Sequence, residues 1–232
     1  MRVIPVTTPK RARKSPSADA LPAQHLGLRR PPAQDRGIVT FDRVLATASR
    51  LLAEVGAEGL TTNLIATESQ VNISSIYKYF PNKQAVLVAL FERHNQQRID
   101  AGRLVIEELA TAKDWRAVID KAVDKILQSR RSTPGGVALR RAMRSSPELA
   151  DIDQRANAAV AQWFAGHVAQ LTGLGASRAL VVARVIVEAE VALLDWWESP
   201  EVAHQAAVAR EVKALLKAYL GLYVEPGHSG SA

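Results

Sequence analysis

From Thr40 onward, apolar positions recur at the spacing of one helix face. Phe41, Val44, Leu45, Ala48, Leu51, Leu52 and Val55 fall at i, i+3, i+4 and i+7, and Gly56 closes the run. This stripe predicts an amphipathic helix. Thr61 or Thr62 then opens a short second helix through about Ser69, with Leu64, Ile65 and Ala66 as its apolar side. Asn72 is a good N-cap for a third helix running from Ile73 to about Phe80. Pro81 stops that helix, and Asn82 caps a longer fourth one, so helices fill 40 to about 98.

Beyond Asp100 the prolines at 134, 147, 200 and 226 sit between helical patterns, not inside them. The predicted helices are Asp114 to Arg131, Gly136 to Ser145, Glu148 to Leu171, Ala176 to Trp197 and Pro200 to Leu220. No segment alternates convincingly as a strand and no repeat is visible. The fold class is all-α, with a small N-terminal unit over 37–98 and a larger helical unit over 99–224. Residues 1–36 are expected to be a disordered basic tail and 225–232 a flexible end.

A helix from Thr62 to Ser69, a joint of Gln70, Val71 and Asn72, and a helix from Ile73 make a helix-turn-helix unit. In that geometry the second helix enters the major groove of DNA with its N-terminal residues toward base edges. Ile73, Ser74, Ser75 and Lys78 are the candidate readers, because small side chains let a helix sit deep in the groove. Tyr77, Tyr79 and Lys83 are candidate donors to phosphate oxygens, as are backbone N–H groups at helix starts. Thr61, Thr62 and Asn72, at the starts of the second and third helices, complete the candidate DNA-binding set.

These residues also carry a family likeness. The stretch "LTTNLIATESQVNISSIYKYFPNKQAVLVALF" resembles the DNA-binding domain of the tetracycline-repressor (TetR) family of bacterial regulators, matching it at Thr61, Thr62, Ile65, Ala66, Val71, Tyr77, Phe80 and Lys83. The family's turn usually reads Ala-Gly-Val-Ser, where this chain has Ser69, Gln70, Val71 and Asn72. Asparagine caps as well as serine does. Glutamine in place of the glycine is the larger departure, because a positive φ there costs a residue with a Cβ some strain. The resemblance implies DNA contact at Tyr77 and Tyr79. It also implies C-terminal helices that form a ligand cavity and pair with those of a second subunit.

Charge changes the picture only in its distribution. The net charge is +7, but residues 1–36 hold eight Lys/Arg against two Asp, residues 37–100 six of each sign, and residues 101–232 sixteen against fifteen. Nearly all the excess lies in the tail, where phosphate neutralisation needs no fold. With 232 residues, 47% of them hydrophobic, a real core is expected, and zero cysteines exclude disulfides and thiolate chemistry. The most apolar stretch, "ALVVARVIVEAEVALL", is interrupted by Arg184, Glu188 and Glu190, so no bilayer span or membrane partner is expected. Histidines at 25, 94, 167, 204 and 228 are scattered, no catalytic or metal-binding spacing occurs, and "PGG" at 134–136 lacks the Lys-Ser/Thr of a phosphate loop. Neither enzyme chemistry, metal nor cofactor is expected.

The predicted helix Ala176 to Trp197 is apolar on nearly every face over its last nineteen residues and needs partners on all sides. A C2 homodimer is expected to supply some of them, through Val182, Val185, Ile186, Leu193 and Trp197 of this helix and Val208, Val212 and Leu215 of the next. Trp115, Met143, Trp163, Phe164, His167 and Trp196 are candidate lining for a small-molecule cavity. Together with these patterns, the resemblance implies a cytoplasmic, nucleoid-associated regulator, a repressor on a palindromic double-stranded operator, released by a small apolar or amphipathic effector. The alternatives are an activator, or a protein-interaction module without sequence-specific DNA binding.

Overall fold

The computed structural model describes residues 35–109, 111–199 and 202–224. Among the described residues the chain forms α1 (Asp35–Gly59), α2 (Thr62–Ser69), α3 (Ile73–Tyr79), α4 (Lys83–Ile106), α5 (Trp115–Arg131), α6 (Gly136–Met143), α7 (Pro147–Thr172), α8 (Ala176–Trp197) and α9 (Gln205–Gly221), with no strand. The fold is therefore all-α.

Local chemistry sets most helix boundaries. Thr61, Asn72, Asn82, Asp114 and Ser146 each accept a hydrogen bond from a first-turn backbone N–H of the helix they precede, and Pro147 starts α7 where its missing N–H has no partner to lose. Gly56, at φ 69° and ψ 179°, breaks the regular helix of α1 one turn before its end.

Three boundaries differ from the sequence reading. Asp35 and Arg36, placed in the basic tail by the sequence reading, belong to α1; the rest of that tail, residues 1–34, and the predicted flexible end, 225–232, lie outside the described residues. α4 continues past about 98 to Ile106, passing through Gly102, since nothing between those positions stops a helix. α9 starts at Gln205, not Pro200, because Gln205 is tied back to the end of α8: its carbonyl accepts from Trp197 Nε1 at 2.9 Å, and its Nε2 donates to Trp197 O at 3.2 Å.

Two main apolar clusters organise the chain. The first joins α1–α4 around Leu45, Leu52, Ile65, Ile76 and Phe80, and it also takes in Leu139, Ala142 and Met143 of α6 and Leu149 of α7. The second joins the C-terminal half of α4 to α5, α7, α8 and α9 around Leu109, Val168, Val182, Leu194 and Trp197. On α4 and α7 the buried polar residues Arg98, Asp153 and Asn157 fall between the apolar residues of the two clusters. α6 touches α1 directly: Ser49 Oγ of α1 donates to Pro134 O at 2.7 Å, just before the N-terminus of α6. Among the described residues no helix is long and apolar enough to cross a membrane.

Candidate nucleic-acid interface and a cavity

The joint between α2 and α3 is fixed by backbone bonds. Val71 N–H donates to Ala66 O at 3.1 Å and Gln70 N–H to Thr67 O at 3.2 Å, which is the paired closure of a Schellman motif. That motif requires a left-handed residue, and Gln70 supplies it at φ 53°, ψ 35°. It is the only non-glycine residue with positive φ among those described. Val71 then turns into the first cluster, and Asn72 caps α3 by accepting from Ser74 N–H at 2.9 Å and from the Ser74 hydroxyl at 2.7 Å.

This joint presents α3 with two unlike faces. Ile76, Tyr79 and the following Phe80 are buried, while Ser74, Tyr77 and Lys78 are exposed and Ile73 and Ser75 are half-buried. Tyr77 is 41% exposed, and its hydroxyl lies 3.2 Å from Thr62 Oγ1 at the start of α2. Thr61 faces solvent while its hydroxyl caps α2. The open face of α3 and the start of α2 therefore form one surface.

Two predicted phosphate donors are held otherwise. Tyr79 is only 6% exposed and packs edge-on against Phe41 at 5.9 Å between ring centres. Lys83 Nζ donates to Ala57 O at 3.0 Å, placing its charge at the C-terminal end of α1 where the helix dipole favours a cation. Arg50 is paired with Glu54 and Glu68, and Arg93 with Asp42. Lys78 is thus the cation of α3 left open to solvent.

A second feature lies in the C-terminal half. A cavity of about 100 Å³, partly open to solvent, is lined by α4, α5, α7, α8 and α9, its wall including Gly102, Ile106, Ile119, Val123, Phe164 and Ile186. Of the candidate lining residues, Trp163 and Phe164 are in this wall. Trp115 is buried in the second cluster, Met143 in the first, His167 stacks edge-on against Trp163 at 4.9 Å, and Trp196 is exposed. One end of the cavity is polar: Arg98 Nη1 donates to Glu190 Oε2 at 2.9 Å, and both side chains line the wall. Beyond that pair, Arg130 and Arg140 meet Asp195, Glu198 and Asp153, tying α5, α6, α7 and α8. His94 sits beside this network, where burial first and the positive charges of Arg140 and Arg93 second push its pKa down to about 4.

Comparison with known proteins decides the family. Residues 44–90 match the model described as bacterial regulatory proteins, tetR family, and residues 114–220 the one described as tetracyclin repressor-like, C-terminal domain. The chain belongs to the TetR family. Its members are transcription regulators, not enzymes. A TetR-family transcriptional regulator from Streptomyces coelicolor matches with a TM-score of 0.59 at 27% identity, over 80% of this chain and 99% of that one. A TetR transcription regulator from Haloarcula marismortui ATCC 43049 has a TM-score of 0.63 at 15% identity, over 81% and 100%, a likeness of fold. Among curated proteins, the fatty acid metabolism regulator protein of Bacillus subtilis (strain 168) is 32% identical over 79 residues, 34% of this chain and 41% of that protein. The uncharacterized HTH-type transcriptional regulator YvkB of the same strain is 30% identical over 90 residues, 32% and 48%. This chain spans less than half the length of these curated relatives.

In this TetR-family chain the residues named for subunit pairing fall into two sets. Val182, Ile186, Trp197 and Val212 are buried within the chain's own second cluster, and Leu193 and Val208 are half-buried against it. Val185 and Leu215 are exposed, and so are Val181 and Trp196 of α8 and Leu222 just after α9. The sequence reading named neither Arg98 nor the Glu190 carboxylate as site residues. Its only signal was Glu190 itself, one of several charges on a helix rich in apolar residues.

Proposed function

We propose that this chain is a homodimeric, ligand-responsive repressor that binds a palindromic operator and is released by a small apolar or amphipathic effector. The observation that carries the DNA reading is the split of α3. Its buried face is locked by the Gln70 turn and the Asn72 cap, which leaves Ile73, Ser74, Ser75, Tyr77 and Lys78 on the open side. A short helix presented this way suits the major groove, with Thr61, Thr62 and Tyr77 beside the phosphates. Such a protein would work in the cytoplasm, on the nucleoid.

The exposed apolar residues of α8 and α9 fit a second copy of the chain. Val181, Val185 and Trp196 lie within one face of α8, and Leu215 and Leu222 continue a face of α9, so a two-fold pairing would cover both. Two α3 helices about one DNA turn apart, roughly 34 Å, would then read two half-sites. Val185→Glu combined with Leu215→Glu should give a monomer by sedimentation and abolish palindrome binding; an intact dimer would reject this face.

α4 links the two functions. Its N-terminal half packs in the first cluster, and Arg98 and Gly102 line the cavity. From Lys83 to Arg98 the helix runs about 22 Å, so an effector that tilts it by roughly 10° displaces its far end by about 4 Å, enough to break phosphate register on a half-site. Coupling of about 1–3 kcal/mol is typical of such devices. The test is selection of bound sequences from a random duplex pool. A palindromic motif supports operator binding, whereas salt-sensitive, sequence-blind retention would leave a protein-interaction module.

A further inference from the structure

A larger opening lies where the two apolar clusters adjoin. A groove of about 710 Å³, open to solvent, is lined by Ala53, Gly56 and Ala57 of α1 and by Ala138, Arg141 and Ala142 of α6. Each set falls at i, i+3 and i+4, so each helix turns one face to the groove. Trp197 of the second cluster closes it from the end of α8. The volume lies within the roughly 300–1,000 Å³ usual for small-molecule sites. No lining residue is shared with the smaller cavity on α4.

The charges of the groove narrow what enters it. The sequence carries Arg-Arg at 130–131 and again at 140–141, and both copies are used alike. The first members, Arg130 and Arg140, are spent on Asp195, Glu198 and Asp153. The second members, Arg131 and Arg141, are exposed in the groove, and their side chains take part in no hydrogen bond or ion pair among the described residues. The Arg131 guanidinium lies over the Trp197 ring, 4.9 Å from its centre, a placement that leaves the N–H edge for a planar anion. Of the two carboxylates in the wall, Glu198 is held by Arg130 at 3.0 Å, and the exposed Glu58 stands alone against two arginines. The groove thus combines small apolar side chains with a surplus of accessible positive charge. We propose that it is a second small-molecule site, for an amphipathic carboxylate whose apolar body lies along Ala53, Ala57 and Ala138 and whose head is received by Arg131 and Arg141. Its occupant would touch α1 of the first cluster and α5 of the second, and the assignment does not depend on the effector-cavity reading.

The test titrates the full chain, without DNA, at pH 7.5 with 2-naphthoate, 2-naphthamide and acetate, and reads the tryptophan indole N–H signals by NMR. Naphthoate should bind at least about tenfold more tightly than the amide, which keeps the body without the charge, and than acetate, which keeps the charge without the body. It should shift the signal of Trp197, whose Nε1 is bonded to Gln205 in the groove wall. Trp163 should stay unmoved, because it lines the α4 cavity, and about 100 Å³ is less than the roughly 150 Å³ that holds a benzene ring alone. Arg131→Gln and Arg141→Gln, both at exposed positions, should each weaken naphthoate binding, and together they should erase its preference over naphthamide while the urea midpoint holds. Four results would each overturn the assignment: equal affinity for naphthoate and naphthamide, a preference that survives the double substitution, a shift at Trp163 in place of Trp197, or no binding of naphthoate. None of them bears on the operator reading, which the selection from random duplexes tests separately.

Discussion

Replacing Gln70 by glycine should make the protein more stable, although it removes a side chain. Gln70 sits at φ 53°, ψ 35°, where a Cβ crowds the following carbonyl, at a cost of roughly 1–2 kcal/mol. Its side chain is exposed and takes part in no hydrogen bond or ion pair among the described residues, so its loss breaks none there. Glycine relieves the strain but adds about 0.5–1 kcal/mol of unfolded-state entropy, for a net gain of about 0.5–1 kcal/mol. For a chain of this size that corresponds to a rise in Tm of about 1–4 °C. The comparison that isolates the backbone is Gln70→Ala, which keeps a Cβ and should gain nothing; Gln70→Asn should fall between, since asparagine tolerates this region. Thermal melts and urea midpoints at constant m, measured for the three variants, check the ordering. A glycine variant no more stable than the alanine one would refute the strain argument.

The other expectations concern how the parts are joined. Gly135→Ala places a Cβ 2.6 Å from Ser49 O at φ 74° and should lower stability by about 2–4 kcal/mol in urea, whereas Gly136→Ala, with open space around it, should be neutral. Lys83→Met removes the bond to Ala57 O and should cost about 1 kcal/mol of stability, while Tyr77→Phe should lower operator affinity with a stability change within about 0.5 kcal/mol; calorimetry and DNA titration together separate the two roles. His94 has a folded pKa near 4 against 6.5 unfolded, so the unfolded chain binds the extra proton and stability falls as pH drops through 6.5 toward 4. Its share of the loss between pH 7.5 and 5 is about 2 kcal/mol, read as the difference in urea midpoint trends between the wild type and His94→Gln.

What the sequence determined by itself is what depends on neighbours two to five positions apart. The caps Thr61, Asn72 and Asn82, the break at Gly56 and the left-handed demand on Gln70 are all of this kind, and together they specify the helix-turn-helix and the helices beside it. Their partners are the adjacent backbone groups, so the order of residues states the interaction outright. Tertiary structure decided everything that rests on which surfaces meet. Helical spacing makes Tyr77 and Tyr79 look equally available, and only the packing of α3 on α1 puts Tyr79 against Phe41 and leaves Tyr77 open. Lys83 docks on Ala57 O because the start of α4 reaches the end of α1. Met143, a candidate for the small-molecule cavity by its residue type, joins the first cluster because α6 packs with α1 and α4. Arg98 and Glu190 lie 92 residues apart, and no periodicity links them; they are a pair only because α4 and α8 bury them against one another, where neither charge could stay alone.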